Sequence, residues 1–360
     1  MYQSVFTREE AGNVYYNVQV SNNTNNNQEF KFYDSRSSAL IDNPSDYELI
    51  INRFQIDLAG IPLMIFPNFE FVNGDIGNTT PDDTYLKITI TYLGEEHSLY
   101  VTYTSQGDSV RGAIYSPQHF VSLINDTFKA LCALFVINPI TAVPYMVYNI
   151  NTSNIELIAP KAPFNTPDAK IFFNKALYSY FENFDMITYP NDVSGKDYSF
   201  NILSVGDYST VNTVGVQTPT NVAINSIVAA PAIRVVPAFC NIGKLNNVRT
   251  LVFTTTNIPI RPEYIPFNNT LDGGNTTSKS FRQILTDFEL NLEGTNGILT
   301  RGIQNYNTSS EFRTTDLSGQ TGLKTIDLQI FYQGIRGTLS PLILKPNSYF
   351  SMKMMFRLKK

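Results

Sequence analysis

The chain has 360 residues, a net charge of −5, 42% hydrophobic content and only 16% charged residues, against about a quarter charged in an average globular protein. Two histidines (His97 and His119), two cysteines (Cys132 and Cys240) and no tryptophan stand beside 25 Phe, 21 Tyr and 37 Asn. This stock argues against broad nucleic-acid binding and a disulfide framework. It also leaves little of the His and Cys from which most enzymes draw acid–base, nucleophilic or metal chemistry.

A surface so poor in charge must be made of Asn, Thr, Ser and Tyr, which suits close-packed assembly because each buried charge costs desolvation. An Asn-rich host composition would produce the same bias. Residues 1–10 have neither a basic start nor an apolar stretch, so no secretory signal is expected. No run of about 18 apolar residues occurs, so no membrane span is expected. Two lone cysteines fit a reducing compartment.

In chain order, residues 1–45 read as an N-terminal arm. Residues 14–20 form one strand and 28–33 another, separated by the polar run Ser21-Asn22-Asn23-Thr24-Asn25-Asn26-Asn27, which cannot pack a core. Tyr2, Val5, Phe6, Tyr15, Tyr16 and Val18 are its candidate anchors on a partner, and such an arm would be removable without loss of the fold. The alternative is a pair of edge strands on its own domain. Residues 47–56 are a strong strand, followed by a tight bend at Ala59-Gly60. Residues 84–92 alternate with period two, Leu86, Ile88, Ile90 and Tyr92 on one face. A turn at 94–96 then leads to a second strand at 97–103.

One clear helix follows. Ser116 is its cap and Pro117 lies in its first turn, and Phe120, Ile124, Phe128, Leu131 and Phe135 form one apolar stripe that Cys132 extends. Residues 145–148 and 155–158 read as a hairpin. Lys170-Ile171-Phe172-Phe173 is strand-like, and Asn174 is placed to cap a short helix running through Tyr178, Phe181 and Phe184. Residues 190–247 read as long connections with short strands. Strands return at 248–256, 284–290, 322–332, 342–344 and 349–358.

No phosphate loop, zinc spacing or nucleophile elbow is present. Gly273-Gly274 lies in an Asn/Thr loop and reads as a turn. Asp82-Asp83 is a turn signal with an unspecific resemblance to a calcium ligand pair. Glu182, Asp185, Asp192 and Asp197 are too scattered to form a glycosidase carboxylate pair. We therefore expect no catalytic residue, no cofactor and no metal site. The last segment carries Lys353, Arg357, Lys359 and Lys360, either as a solvated tail or as a contact for an anionic partner, packaged DNA included.

The strand census implies a mainly β protein, an antiparallel jelly-roll sandwich with an inserted region of loops and helices. The expected division is an arm at 1–45, a jelly roll from 46–103 and 248–360, and an insertion at 104–247. Four stretches carry a resemblance: 47–54 with 61–63; 251–255 with Ile258-Pro259-Ile260 and Glu263; 284–288; and 326–332 with Pro341-Leu342 and 351–356. Together they resemble the penton, or vertex, capsid proteins of virophages and polinton-like double-stranded DNA viruses.

That resemblance implies a structural virion protein at the icosahedral five-fold vertices, with an upper domain or connections projecting outward. It implies homopentamers, major capsid protein trimers and other minor capsid proteins as partners, and manufacture in the host cytoplasm or virus factory. Two other readings stay open at this point: another minor or major jelly-roll capsid protein, and a carbohydrate-binding β-protein such as a fibre or lectin.

Overall fold

The computed structural model describes residues 12–66, 71–72, 75–76, 85–105, 112–149, 152–164, 166–189, 196–202, 216–217, 232–239, 242–245, 248–261, 264–267, 280–290, 303–307, 314–334 and 339–359. The chain forms two compact units. Unit 1 is Met1–Pro62, Val248–Leu292 and Thr300–Lys360; unit 2 is Leu63–Asn247 with Glu293–Leu299.

Unit 1 is built from eight principal strands: β1 (Asn13–Ser21), β2 (Lys31–Ser35), β3 (Tyr47–Asp57), β4 (Val248–Thr255), β5 (Ser280–Glu289), β6 (Ile303–Asn307), β7 (Thr325–Gly334) and β8 (Tyr349–Leu358). They make two antiparallel sheets. One runs β1-β8-β3-β6, and Thr314–Asp316 extends the β6 edge along β3. The other runs β2-β7-β4-β5, with short strands Leu339–Pro341 beside β7 and Tyr264–Phe267 beside β5. Reading the strands in chain order as one to eight, the sheets are 1-8-3-6 and 2-7-4-5. This is the doubly wound order of an eight-stranded jelly roll, so the expected fold class is what the chain adopts.

Period two explains which side chains meet. On β8, Phe350, Met352, Met354 and Phe356 are buried while their neighbours are half-exposed. They pair with Ile56, Phe54, Ile51 and Leu49 of β3, and a bulge between Lys353 and Met354 in this ladder leaves Asn52 as the extra residue. The bulge explains why the inward residues of β3 are spaced 49, 51, then 54 and 56: the extra residue keeps both halves in phase. The sheets are joined by rings. Phe54 lies 5.2 Å from Phe253 and 4.6 Å from Phe288, Phe253 packs 6.2 Å from Phe350, and Phe350 sits edge-on to Phe30 at 4.8 Å.

Two polar side chains hold loops of the sandwich. Asn22, fully buried, donates from Nδ2 to the carbonyls of Asn26 and Leu344 and accepts at Oδ1 from the Thr24 amide and hydroxyl. It ties the end of β1 to the turn before β8. The polar run at 21–27 thus contains a fully satisfied core asparagine, which its composition alone concealed. On β7, Asp327 accepts four hydrogen bonds from the turn after β4: the Thr255 hydroxyl at 2.6 Å, and the Thr256 amide, Thr256 hydroxyl and Asn257 amide at 2.8 Å. Gly60 fills another tight spot, since a Cβ there would lie 1.8 Å from the Ile343 carbonyl oxygen.

Among the described residues, unit 2 has two larger antiparallel sheets, two short two-stranded ones and one long helix. The strands Ala169–Phe173, Lys87–Tyr92 and Glu95–Tyr100 are neighbours in one sheet; Tyr145–Asn149, Asn154–Pro160 and Ala232–Val235 are neighbours in the other. The 87–92/95–100 hairpin turns on Leu93 and Gly94, both at positive φ (50° and 83°), the backbone a two-residue hairpin turn requires. Helix α1 (Pro117–Leu134) buries Phe120, Ile124, Phe128, Leu131 and Cys132, and the Ser116 hydroxyl accepts the His119 amide at 3.2 Å. Its stripe and cap match the expectation. Asn125 on this helix exchanges two bonds with the Met146 backbone. The Asn174 carboxamide caps the helix Lys175–Tyr178, which ends before Phe181 and Phe184, although both of those rings are buried.

The structure departs from the expected division at two places. Residues 63–103 belong with unit 2: the 87–92 strand pairs with Ala169–Phe173, and Ile88 and Ile90 enter the same core as α1. Alternation reports that a strand has one buried face but not which core receives it. Residues 13–35 belong to the sandwich, because β1 pairs with β8 over its full length and β2 with β7.

The Asp327 carboxyl is raised by burial, but the hydrogen bonds from Thr255, Thr256 and Asn257 outweigh that and hold it below the ordinary carboxylate range. A depressed folded pKa contributes stability above the unfolded value of about 3.9, and that stability is lost as pH falls through the folded value. Asp327→Asn should therefore lower unfolding free energy at pH 7 by about 1–3 kcal/mol. In urea titrations the gap to wild type should shrink below about pH 4; a gap independent of pH would contradict this account.

Candidate assembly surfaces

The residues expected to anchor a neighbour sit in three different settings. Tyr2, Val5 and Phe6 lie outside the described residues. Tyr16 and Val18 are almost fully buried in the sandwich, so they hold the protein's own sheets together rather than a partner. The Tyr16 hydroxyl donates to Asp34 Oδ2 at 2.6 Å, and the same oxygen accepts Arg36 Nε at 3.0 Å. Burial, then the Asp34 hydrogen bond, push the Tyr16 phenol well above its usual range. Burial also raises the Asp34 carboxyl, yet the bonds from Tyr16 and Arg36 prevail and leave it lowered. Tyr15 points to the opposite face, where Lys353 Nζ lies 4.4 Å from its ring centroid.

The basic C-terminal segment is not a tail. It is β8, an interior strand of its sheet. Arg357 Nε pairs with Glu48 Oε1 at 2.5 Å. Lys359 Nζ lies 3.3 Å from Asp316 Oδ1 and donates to the Ser45 carbonyl at 3.1 Å. Two of the four expected anionic contacts are thus already matched within the chain, and Lys360 lies outside the described residues. Lys353 remains, on the outer face of the sheet. The sequence reading missed the residue opposite it, Arg53 of β3; only strand pairing across about 300 positions could have revealed it.

Most of the residues weighed for chemistry are accounted for by contacts within the chain. His97 Nε2 bonds Glu95 Oε1 at 2.8 Å and packs edge-on to Phe135. The His119 ring donates to the Thr104 carbonyl at 2.7 Å; burial lowers its pKa, against the opposing effect of that bond. Burial pushes the Cys132 thiol up to about 12. Asp185 accepts from Asn201, and Asp197 from the Lys175 amide. Among the described residues no group of three or more His, Cys, Asp or Glu could hold a metal ion, and no helix is long and apolar enough to cross a membrane. Asp82-Asp83, Asp192, Cys240, Glu263 and Gly273-Gly274 lie outside the described residues.

Apolar side chains exposed on unit 2 include Val136 at 81% and Ile137 at 82%, with Leu134 just before them at the end of α1. Isolated exposed apolar groups are ordinary, and contact surfaces are marked by contiguous apolar patches of more than a few hundred Å².

A family model described as Sputnik minor capsid protein V18/19 matches residues 14–358. Among solved structures, the chain is similar to one from the cryo-EM structure of the Sputnik virophage, with a TM-score of 0.71 and 21% identity over 97% of this chain and 99% of that one. It is also similar to the mavirus penton protein, with a TM-score of 0.63 and 16% identity over 96% of this chain and 99% of that one. No curated protein matches the chain. Both structural matches run through the sandwich and the segment inserted between β3 and β4 alike.

Two outcomes follow from the geometry. Removing 1–45 should abolish folding, because it strips β1 from β8 and takes Phe30, Phe32, Tyr16 and Val18 out of the core, each large-to-small loss alone costing about 2–5 kcal/mol. A circular dichroism melt of the 46–360 fragment decides this; a stable fragment would contradict it. Second, protein purified without added metal should carry no stoichiometric zinc or other transition metal on His97 or His119. Elemental analysis by inductively coupled plasma mass spectrometry reads this directly.

Proposed function

The chain belongs to the Sputnik minor capsid protein V18/19 family, and on that premise we propose that five copies close into a ring at the five-fold vertices of an icosahedral virion. The observation that carries this reading is the extent of the match to the mavirus penton protein, which takes in 99% of that chain, jelly roll and inserted unit together. The relatives are capsid proteins, so the work done is geometric rather than chemical. A rigid sandwich, stiffened by the ring cluster around Phe54, fixes the angle at which one copy meets the next. A ring of identical copies requires contacts between two different patches, with a rotation that closes.

The low-charge surface supports such contacts. Ion pairs such as Arg357–Glu48 and Arg36–Asp34 neutralise charges within the subunit, so fewer remain to be desolvated between subunits. Aromatic and amide side chains supply apolar area and hydrogen bonds. The partners of the ring are trimers of the major capsid protein and other minor capsid proteins, and residues 1–11, which precede β1 in the chain, are the segment assigned to meet them. Synthesis takes place in the host cytoplasm or virus factory.

Native mass spectrometry of the purified protein should give a species of five times the 40.5 kDa chain mass. Particle images should place it on the five-fold axes. A monomer at high concentration, together with density at a single position off those axes, would overturn the vertex reading.

A further inference from the structure

The outer face of the β1-β8-β3-β6 sheet carries two straight rows of polar side chains, one residue per strand. Register places Gln19, Ser351, Gln55 and Asn305 in one row. The next row is Asn17, Lys353, Arg53 and Asn307. Arg53, Gln55, Asn305 and Asn307 line a concavity of about 670 Å³ together with Tyr349 and Ser351. No carboxylate lines it.

Lys353 and Arg53 are directly opposite each other on neighbouring strands. Like charges in this position repel and destabilise a sheet. Among the described residues neither has a carboxylate partner. Lys353 leans over the Tyr15 ring at 4.4 Å, and Arg53 is exposed. This contrasts with the other basic groups of the strand, since Arg357 is matched by Glu48. A chain with so few charges that nonetheless sets two cations side by side, one of them, Arg53, lining a hollow, is arranged for an anion from outside.

We propose that this hollow and the strand beside it are a docking site for an extended acidic peptide segment of a neighbouring capsid subunit, with a carboxylate bridging Arg53, which lines the hollow, and Lys353, its cross-strand neighbour. The proposal deepens the capsid-assembly reading and rests on it. Neighbouring strands lie about 4.8 Å apart, so one carboxylate, with two oxygens, reaches both cations, and an Arg–carboxylate pair is bidentate. The amides of Gln19, Gln55, Asn305 and Asn307 offer donors and acceptors at the same strand spacing, which suits the main chain of an extended peptide. A nucleic acid fits less well. Phosphate-backbone binding is carried by larger sets of cations, and among the described residues this face presents only two that no carboxylate matches, Arg53 and Lys353.

The test uses the full-length protein and a fluorescein-labelled nonapeptide of alternating Glu and Thr, whose carboxylates share one face when extended. Its Gln–Thr counterpart and a single-stranded oligonucleotide are the controls. Saturable binding of the acidic peptide, weakened about tenfold or more by Arg53→Gln and by Lys353→Gln and absent with the Gln–Thr peptide, is the expected result. The two variants should also melt at or above the wild-type temperature, because each relieves repulsion between like charges. A residue of purely structural importance would lower it.

Acidic-peptide binding weaker than about 1 mM, or unaffected by both substitutions, overturns the proposal. So does an oligonucleotide that binds more tightly than the peptide and loses its affinity in Arg53→Gln, which would assign the hollow to phosphate. Native mass spectra of the same variants separate this question from ring formation: a five-chain species that fails to bind the peptide rejects the docking site and leaves the vertex reading intact.

Discussion

The sandwich depends on the contact between its two sheets, and that contact is aromatic. Phe54 touches Phe253 and Phe288 across the gap and stacks on Tyr306 at 5.0 Å within its own sheet. Tilted and edge-on rings at these separations add to the gain from burial alone. Everything else in unit 1 is placed by this packing. It requires the Asn52 bulge, because without the extra residue either Leu49 and Ile51 or Phe54 and Ile56 would face water. It also sets the outward row of Arg53, Gln55 and their cross-strand neighbours, since residues between inward ones must point away.

Most of the strands were legible because their burial is periodic. The alternation of 349–358 and the stripe of α1 follow from one buried face each, and the structure keeps them. Asn22 and Asp327 were not legible. Both are buried polar groups that bond backbone or hydroxyls brought close by the fold, and nothing local distinguishes them from the exposed Asn and Asp residues around them. The 87–100 hairpin was read correctly as a hairpin and assigned to the wrong core, since pattern alone carries no address. The candidate assembly residues divided for the same reason: Tyr15 and Tyr16 are adjacent and equally aromatic, but period two sends one outward and the other into the core.

Unit 2 follows the same polar economy. Glu156, inaccessible to solvent, is held by both Arg234 Nε at 2.6 Å and Nη2 at 2.7 Å, with Asn149 Nδ2 completing its shell at 3.0 Å. Breaking such a buried pair by removing one partner leaves an uncompensated charge costing about 3–5 kcal/mol. Asn125, bonded through both ends of its carboxamide to Met146, fixes α1 against the neighbouring strand in the same manner. Asparagine is abundant in this chain, and where it is buried it substitutes for ionisable groups as a source of specific hydrogen bonds.

β8 lies between β1 and β3, and the side-chain bond from Arg357 to Glu48 spans 309 positions. During synthesis, β1 and β3 leave the ribosome early and must wait for almost the entire chain before the strand that separates them exists. Unit 2, nearly continuous in sequence, can be completed while the remainder is still being made. A nascent chain that terminates early therefore lacks an interior strand rather than an end, and its first sheet cannot close. Translation errors that shorten the product thus become failures to fold, and a copy lacking its last strand cannot present the finished sandwich at one of the identical places in a shell.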